Sequence, residues 1–248
     1  MTTATKHRHN IEGGNRRGED TRAKIVAAAL TAFGQSGFEG ASMRDIAELA
    51  GVNAPALVYY FDNKEGVYLA CAEHVASRML EYAGPAVQAA EKALAGCSDE
   101  ELINAFCAIQ AALAEYMLSP NNDNDWRPFI AREQSGLGLK SSFDILINRF
   151  SKRLTALSAA IMGRFLQLPA DDEECLVRAS TLNGQLVSFY LARRSTLCTL
   201  NWDEIDADRL FYLIRIVNEQ TAVFLRSLRT SEAKTHGCVR HYTSAMAS

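Results

Sequence analysis

From Asp20 to Arg229 the apolar residues recur every three or four positions, and no stretch alternates as a half-buried strand would. That spacing restricts the chain to helices packed on helices, so an all-α fold is expected. Composition supports it: 15 Gly and 5 Pro among 248 residues leave few breakers, and 48% apolar content suffices for a sizeable core. No apolar run reaches about 18 residues, and Met1–Asn10 is polar and basic without an apolar segment. Neither a membrane span nor a secretory signal is expected, and the expected compartment is the cytoplasm.

Local signals set the helix boundaries. A first helix is expected from about Asp20 to Ser36, with Ile25, Val26, Ala29, Leu30 and Phe33 on one face and Gly37 suited to a left-handed end. Ser42 with Asp45 forms a capping box for a second, whose buried face is expected to be Ile46, Leu49 and Ala50. Gly51 supplies positive φ for a tight turn, and Asn53 caps a third helix, Ala54–Phe61, with Pro55 in its first turn. Asp62-Asn63 should cap a fourth from Lys64 to about Tyr82, ended by Gly84-Pro85. Beyond it, helices are expected from Ser98 to Ser119-Pro120, then at Trp126–Gln134, Ser142–Leu168, Asp171–Arg194 and Asp206–Arg229, with Asn121–Asp125 a polar loop.

Four regions follow: a flexible tail at 1–17, a helix-turn-helix domain at 18–66 with its motif at about 42–61, a helical ligand-binding and dimerisation domain at 67–230, and a second tail at 231–248. The net charge of −3 hides an asymmetry. Residues 1–24 hold six basic against three acidic residues, a local +3 that leaves −6 for the rest. That placement permits nucleic-acid binding at the N-terminal end, where local rather than total charge decides affinity.

Two short helices joined by a glycine turn define the helix-turn-helix geometry, whose second helix enters the major groove. Leu57 and Phe61, four apart, should pack inward. Arg44, Asn53, Ala54, Ala56, Tyr59, Tyr60 and Lys64 are the candidate DNA contacts. Tyrosine hydroxyls and a lysine at a helix start suit phosphates, and small side chains suit thymine methyls. The alternative is that Tyr59 and Tyr60 are ordinary half-buried aromatics of an all-α protein that never meets DNA. An enzyme is a third reading, but His7, His9, His74, His236 and His241 form no nucleophile–base pattern, no metal-ligand spacing and no phosphate loop. No cofactor or metal is expected. The six cysteines lack a CxxC pair and read as small hydrophobes.

The stretches Thr21-Arg22-x-x-Ile25, Phe33-x-x-x-Gly37-Phe38, Ser42-Met43-Arg44-Asp45-Ile46-Ala47, Ala50-Gly51-Val52-Asn53 and Tyr59-Tyr60-Phe61-x-Asn63-Lys64-Glu65 closely resemble the TetR family of regulators. The resemblance implies a three-helix DNA-binding domain, a variable helical domain that binds ligand and dimerises, and repression relieved by a small molecule. This chain departs from the family at Val58 and Pro55, so Val58 is left outside the contact set. Arg16 and Arg17 are candidates for reaching the minor groove.

A second group, Arg132-Glu133-Gln134, Phe143-Asp144, Leu182-x-Gly184-Gln185-x-x-x-Phe189-x-x-Ala192-Arg193 and Trp202-Asp203-Glu204, resembles the C-terminal domain of the CerR/CecR-type subgroup. That resemblance implies target genes for efflux or transport. Candidate ligand contacts are Trp126, Phe129, Arg132, Gln134, Gln185, Phe189 and Arg193, although Arg132 and Glu133 read better as a buried structural pair. Gly184, Ser188 and the last-helix residues Leu210, Leu213, Ile214, Val217, Val223 and Phe224 are read as a homodimer interface, against the alternative that they line the monomer core.

Overall fold

The computed structural model describes residues 9–120 and 126–230, with side chains at 18–120 and 126–229, and the described residues contain no strand. The helices are α1 (His9–Gly40), α2 (Met43–Ala50), α3 (Ala54–Phe61), α4 (Lys64–Gly96), α5 (Asp99–Leu118), α6 (Trp126–Gln134), α7 (Lys140–Leu146), α8 (Lys152–Leu166), α9 (Glu173–Asn183), α10 (Val187–Tyr190), α11 (Arg193–Leu200) and α12 (Ala207–Thr230). A π turn at Ile147–Ser151 joins α7 to α8, and a 3-10 turn at Gly184–Leu186 joins α9 to α10.

Contacts divide the chain into two compact units that differ from the sequence boundary after residue 66. The first holds residues 1–78 and 123–149, the second 79–122 and 150–248. In the first unit, Ile25, Val26, Ala29, Leu30 and Phe33 of α1 are buried as the periodicity requires. Helix α1 begins at His9 rather than near Asp20, so residues 9–17 are helical where a tail is expected. The side chains of Arg16 and Arg17, the polar loop Asn121–Asp125 and the C-terminal tail lie outside the described residues.

Gly37 interrupts α1 at φ 74° and ψ 178°, a backbone region open essentially to glycine alone. A Cβ there would also lie 3.1 Å from a guanidinium nitrogen of Arg132. The other caps match their signals. Ser42 Oγ accepts from Asp45 N while Asp45 accepts from Ser42 N, Gly51 sits at φ 66°, and Asn53 Oδ1 accepts from Ala56 N. Asn63 Oδ1 caps α4 by accepting from Gly66 N at 2.9 Å.

Helix α4 does not stop at Gly84-Pro85; it runs to Gly96, 33 residues or about 50 Å at ~1.5 Å per residue. Pro85 is exposed and costs the helix one hydrogen bond, about 3 kcal/mol. Ala83, Val87, Ala90 and Ala93 are buried at unbroken helical spacing across it; Val87 contributes about 1.5–3 kcal/mol and each alanine methyl about 0.8, together more than the proline costs. Packing wins over the local breaker. Leu49 corrects the reading of α2 in the other direction: it is 59% exposed, and Ala47 takes the buried position beside Ile46.

The second unit packs α8 on α9 and α5 on α12 around Phe106, Leu113, Phe165, Leu182, Leu213 and Val217. Asp99, in the first turn of α5, receives Arg229 at 2.8 Å and Arg164 at 3.3 Å. The Arg229 hydrogen bond holds the Asp99 carboxyl below the usual carboxylate range. The expected helix Asp171–Arg194 is divided into α9, the 3-10 turn and α10. At the break, Gln110 Nε2 donates to the Leu182 carbonyl at 3.3 Å, giving that acceptor a partner from α5.

Substituting Gly37→Ala should cost about 1–3 kcal/mol in urea unfolding, because alanine cannot take the observed backbone conformation cheaply. A variant as stable as the parent would show that the interruption of α1 is not required.

Candidate nucleic-acid interface

The reading helix α3 is held from below by Leu57, fully buried, and Phe61, 6% exposed. Its outer face is open: Tyr59 is 82% exposed and Val58 54%, with Asn53 and Ala54 exposed and Ala56 and Tyr60 half-buried. The Tyr59 and Tyr60 rings meet edge to face at 5.1 Å, an arrangement that orients both on the surface. Arg44 is exposed on α2. The half-buried Lys64 is partly committed within the unit: its Nζ donates to the Glu39 carbonyl at 3.3 Å and lies 4.7 Å from the Phe38 ring centre. One ammonium hydrogen meets that carbonyl, which leaves two for an outside acceptor. No acidic residue occurs in Ala54–Phe61.

Helix α6 fastens α1 and α4 within the same unit. Arg132, expected as a ligand contact, instead donates from Nε to the Gly34 carbonyl at 2.8 Å and from Nη2 to the Gln35 carbonyl at 2.7 Å. These are carbonyls that the interruption at Gly37 leaves without helical partners, and a planar guanidinium serves both. A Cβ on Gly34 would meet Pro128 at 2.9 Å, which shows how closely α6 approaches.

Glu133, only 2% exposed, accepts from the Tyr68 hydroxyl at 2.6 Å through Oε1. Its Oε2 lies 2.9 Å from Ser142 Oγ, which is also 2.6 Å from the Leu139 carbonyl. A serine hydroxyl carries one hydrogen, so both contacts are hydrogen bonds only when Glu133 itself carries a proton and donates it to Ser142. Burial also pushes the Glu133 carboxyl above its ordinary value, against the opposing pull of the Tyr68 and Ser142 hydrogen bonds. The Tyr68 ring packs against Phe33, Phe38 and Phe129 at 4.7, 5.2 and 4.9 Å. Glu133 and Arg132 are therefore structural and are not paired with each other.

The remaining candidate ligand residues fall in different units. In the first, Trp126 and Phe129 are core residues at 6% and 0% exposure, and Gln134 is exposed at the edge of a small surface pocket. In the second, Gln185 and Phe189 line one cavity together with Trp202, Tyr212, Ile216 and Gln220, which the sequence reading did not select. Arg193 opens α11, half-buried. Tyr68, Ser142 and the α12 cavity residues escaped because they act at sequence separations that helical periodicity cannot see. Among the described residues, no group of three or more His, Cys, Asp or Glu is placed to hold a metal.

Described residues that are helical without a strand, with an exposed, acid-free second helix on a capped helix-turn-helix, have the design of a DNA-binding regulator. The family model for bacterial regulatory proteins of the tetR family matches residues 25–71, and that for the C-terminal domain of the HTH-type transcriptional dual regulator CecR matches residues 102–228. The chain belongs to the TetR family of transcriptional regulators, with a CecR-type C-terminal domain. It is 29% identical over 221 residues to CecR of Shigella flexneri, covering 86% of this chain and 94% of that one. Over 46 residues it is 52% identical to RutR of Escherichia coli, covering 18% of this chain and 22% of RutR.

Among solved structures, a TetR-family regulator from Mesorhizobium loti aligns with TM-score 0.52 at 17% identity, over 85% of this chain and 98% of that one. AibR, crystallised with isovaleryl coenzyme A and operator DNA, aligns with TM-score 0.54 at 17% identity, over 83% and 95%.

The raised carboxyl of Glu133 keeps its proton in the folded chain at pH values where the unfolded chain has lost it. The corresponding stability is fully present below the ordinary value of 4.5 and is lost as pH rises through the folded value. Glu133→Gln keeps an acceptor for Tyr68 and a donor for Ser142 without titrating. Urea unfolding at stepped pH should show the variant gaining on the parent as pH rises above 4.5. A difference independent of pH would mean that Glu133 is charged throughout.

Proposed function

We propose that this regulator binds a pseudo-palindromic operator as a homodimer and is released from it by a small-molecule effector, repressing genes for efflux or transport. The single observation that carries the operator reading is Tyr59, 82% exposed on a helix without acidic residues and beside an exposed Val58. Tyr59, Tyr60, Lys64 and Arg44 take the phosphates, and Asn53, Ala54 and Ala56 lie against the base edges. Val58 joins them as an apolar contact for a thymine methyl. The efflux or transport targets rest on the resemblance to the CecR-type subgroup alone, and AibR, which shares the fold, was crystallised with isovaleryl coenzyme A and operator DNA.

The homodimer reading needs a revised set of residues. Leu210, Leu213 and Val217, expected at the interface, are buried in the second unit's own core at 8%, 3% and 5% exposure. The apolar side chains left open are Phe211, Tyr212 and Val223 on α12 and Leu176 and Val177 on α9. Those two helices are neighbours, with Arg178 of α9 over the Phe224 ring at 5.6 Å. We infer that they form a four-helix interface with a second copy and set the two reading heads about 34–36 Å apart. Helix α4 contributes to both units and is the element through which an effector would shift that spacing.

Electrophoretic shifts with the DNA upstream of the chain's own coding sequence test this reading. Tyr59→Ala should weaken the complex about tenfold without lowering thermal stability, since the loss of one or two hydrogen bonds to phosphate is worth ~1–1.5 kcal/mol. It should also leave relative affinities for different operator sequences nearly unchanged. Unaltered affinity in Tyr59→Ala would remove α3 from the interface.

A further inference from the structure

We infer that the cavity between the broken stretch after α9 and helix α12 is a binding site for a small, neutral, largely apolar molecule carrying a hydrogen-bond donor. The cavity measures about 400 Å³, within the ~300–1,000 Å³ typical of small-molecule pockets. Gln185 from the 3-10 turn and Phe189 from α10 line it on one side. Leu200 and Trp202 follow from the end of α11, and Tyr212, Ile216 and Gln220 come from α12.

Three observations define the ligand. The lining is aromatic and aliphatic with two glutamines and a phenol, and it contains no charged side chain. An ion would have to shed its water there without a counter-charge, so the occupant is neutral. Gln185 Oε1 is enclosed and has no hydrogen-bond partner among the described residues. A buried acceptor left unmade costs about 1–3 kcal/mol, and an N–H or O–H of the ligand meets it. Two aromatic walls have arginine neighbours: Arg209 lies 5.5 Å from the Trp202 ring centre and Arg215 5.2 Å from that of Tyr212. Arg209 is tied to the Glu204 carbonyl and Arg215 to Glu219, which keeps each guanidinium beside its ring.

The chain geometry points the same way. Cys175, Ala179, Leu182 and Leu186 keep helical spacing into the core, yet the helix is interrupted at Gly184 and again after Tyr190. A local departure from a pattern that the core would have allowed to continue is expected where function requires it. The interruption supplies Gln185 and Phe189 to one cavity wall.

The role of this site as the effector site rests on the ligand-responsive reading above, whereas the site itself does not. N-phenyl-1-naphthylamine, a neutral apolar fluorophore with one N–H, is a suitable probe for the full chain. One dye should bind per chain, with enhanced emission. Gln185→Leu, which removes the acceptor, should weaken it about tenfold, and Ile216→Trp, which fills the cavity, should abolish it. Circular dichroism establishes that both variants are folded.

In shift assays with the upstream duplex, the dye should alter wild-type affinity, and the effect should shrink in step with dye affinity across the variants. Failure of the wild type to bind dye, equal binding by all three proteins, or one dye per two chains with a partner side chain seated in the cavity would each overturn the site. Dye binding with no effect on the duplex complex would overturn the effector role. Loss of all duplex binding by the dye-free wild type would instead sink the regulator reading, while the titration still decides the site.

Discussion

The first unit depends on one buried carboxyl. Glu133 joins α6 to α4 through Tyr68 and to α7 through Ser142, and its neighbour Arg132 holds the carbonyls where α1 is interrupted. An ionised carboxylate at 2% exposure without a cationic partner would carry a desolvation cost that two hydroxyl contacts do not offset. Tyr68 donates to Oε1, Ser142 Oγ lies within hydrogen-bond distance of both Oε2 and the Leu139 carbonyl, and burial raises the carboxyl in the direction of its neutral form. The two helices that flank the reading head, α1 and α4, are thereby registered against a third that lies far along the chain.

The second unit shows the opposite economy. Its core side chains follow helical spacing throughout, while its backbone twice abandons the helix between Gly184 and Arg193. The Leu182 carbonyl is met by Gln110 from α5, so that part of the break is satisfied within the protein. Gln185 Oε1 is not.

What could be read from the sequence follows the range of the interaction. Caps are local: Ser42–Asp45, Asn53 and Asn63 each announce a helix start within three residues, and each is present. Breakers were legible only as preferences. Pro85 predicted an end that buried Ala83, Val87 and Ala90 overrode, and Gly184 was read as a packing residue although it begins the break. A three-residue 3-10 turn shifts the helical phase too little to disturb periodicity, so the interruption was invisible. Leu49 and Leu213 illustrate the limit of the apolar stripe: spacing marks a face but does not say whether that face meets the core, solvent or a second copy. The Arg132-Glu133 pair was conspicuous as a motif, yet its partners Gly34, Tyr68 and Ser142 lie on three other segments.

The chemistry left open on α3 limits how such a helix reads DNA. Asn53 spends its side-chain carbonyl on Ala56 N, so only its amide hydrogens remain for a base edge. Ala54, Ala56 and Val58 offer no hydrogen bonds at all. Lys64 is tethered to Glu39 and directed over Phe38, at the start of the following helix rather than along α3. The bidentate Arg–guanine and Asn–adenine contacts that give most of the major-groove code are therefore absent from this face. On the proposed reading, discrimination would fall on thymine methyls against Ala and Val and on the shape and deformability of the duplex. A site read this way tolerates substitutions at single G·C positions better than changes that alter groove width or remove a methyl.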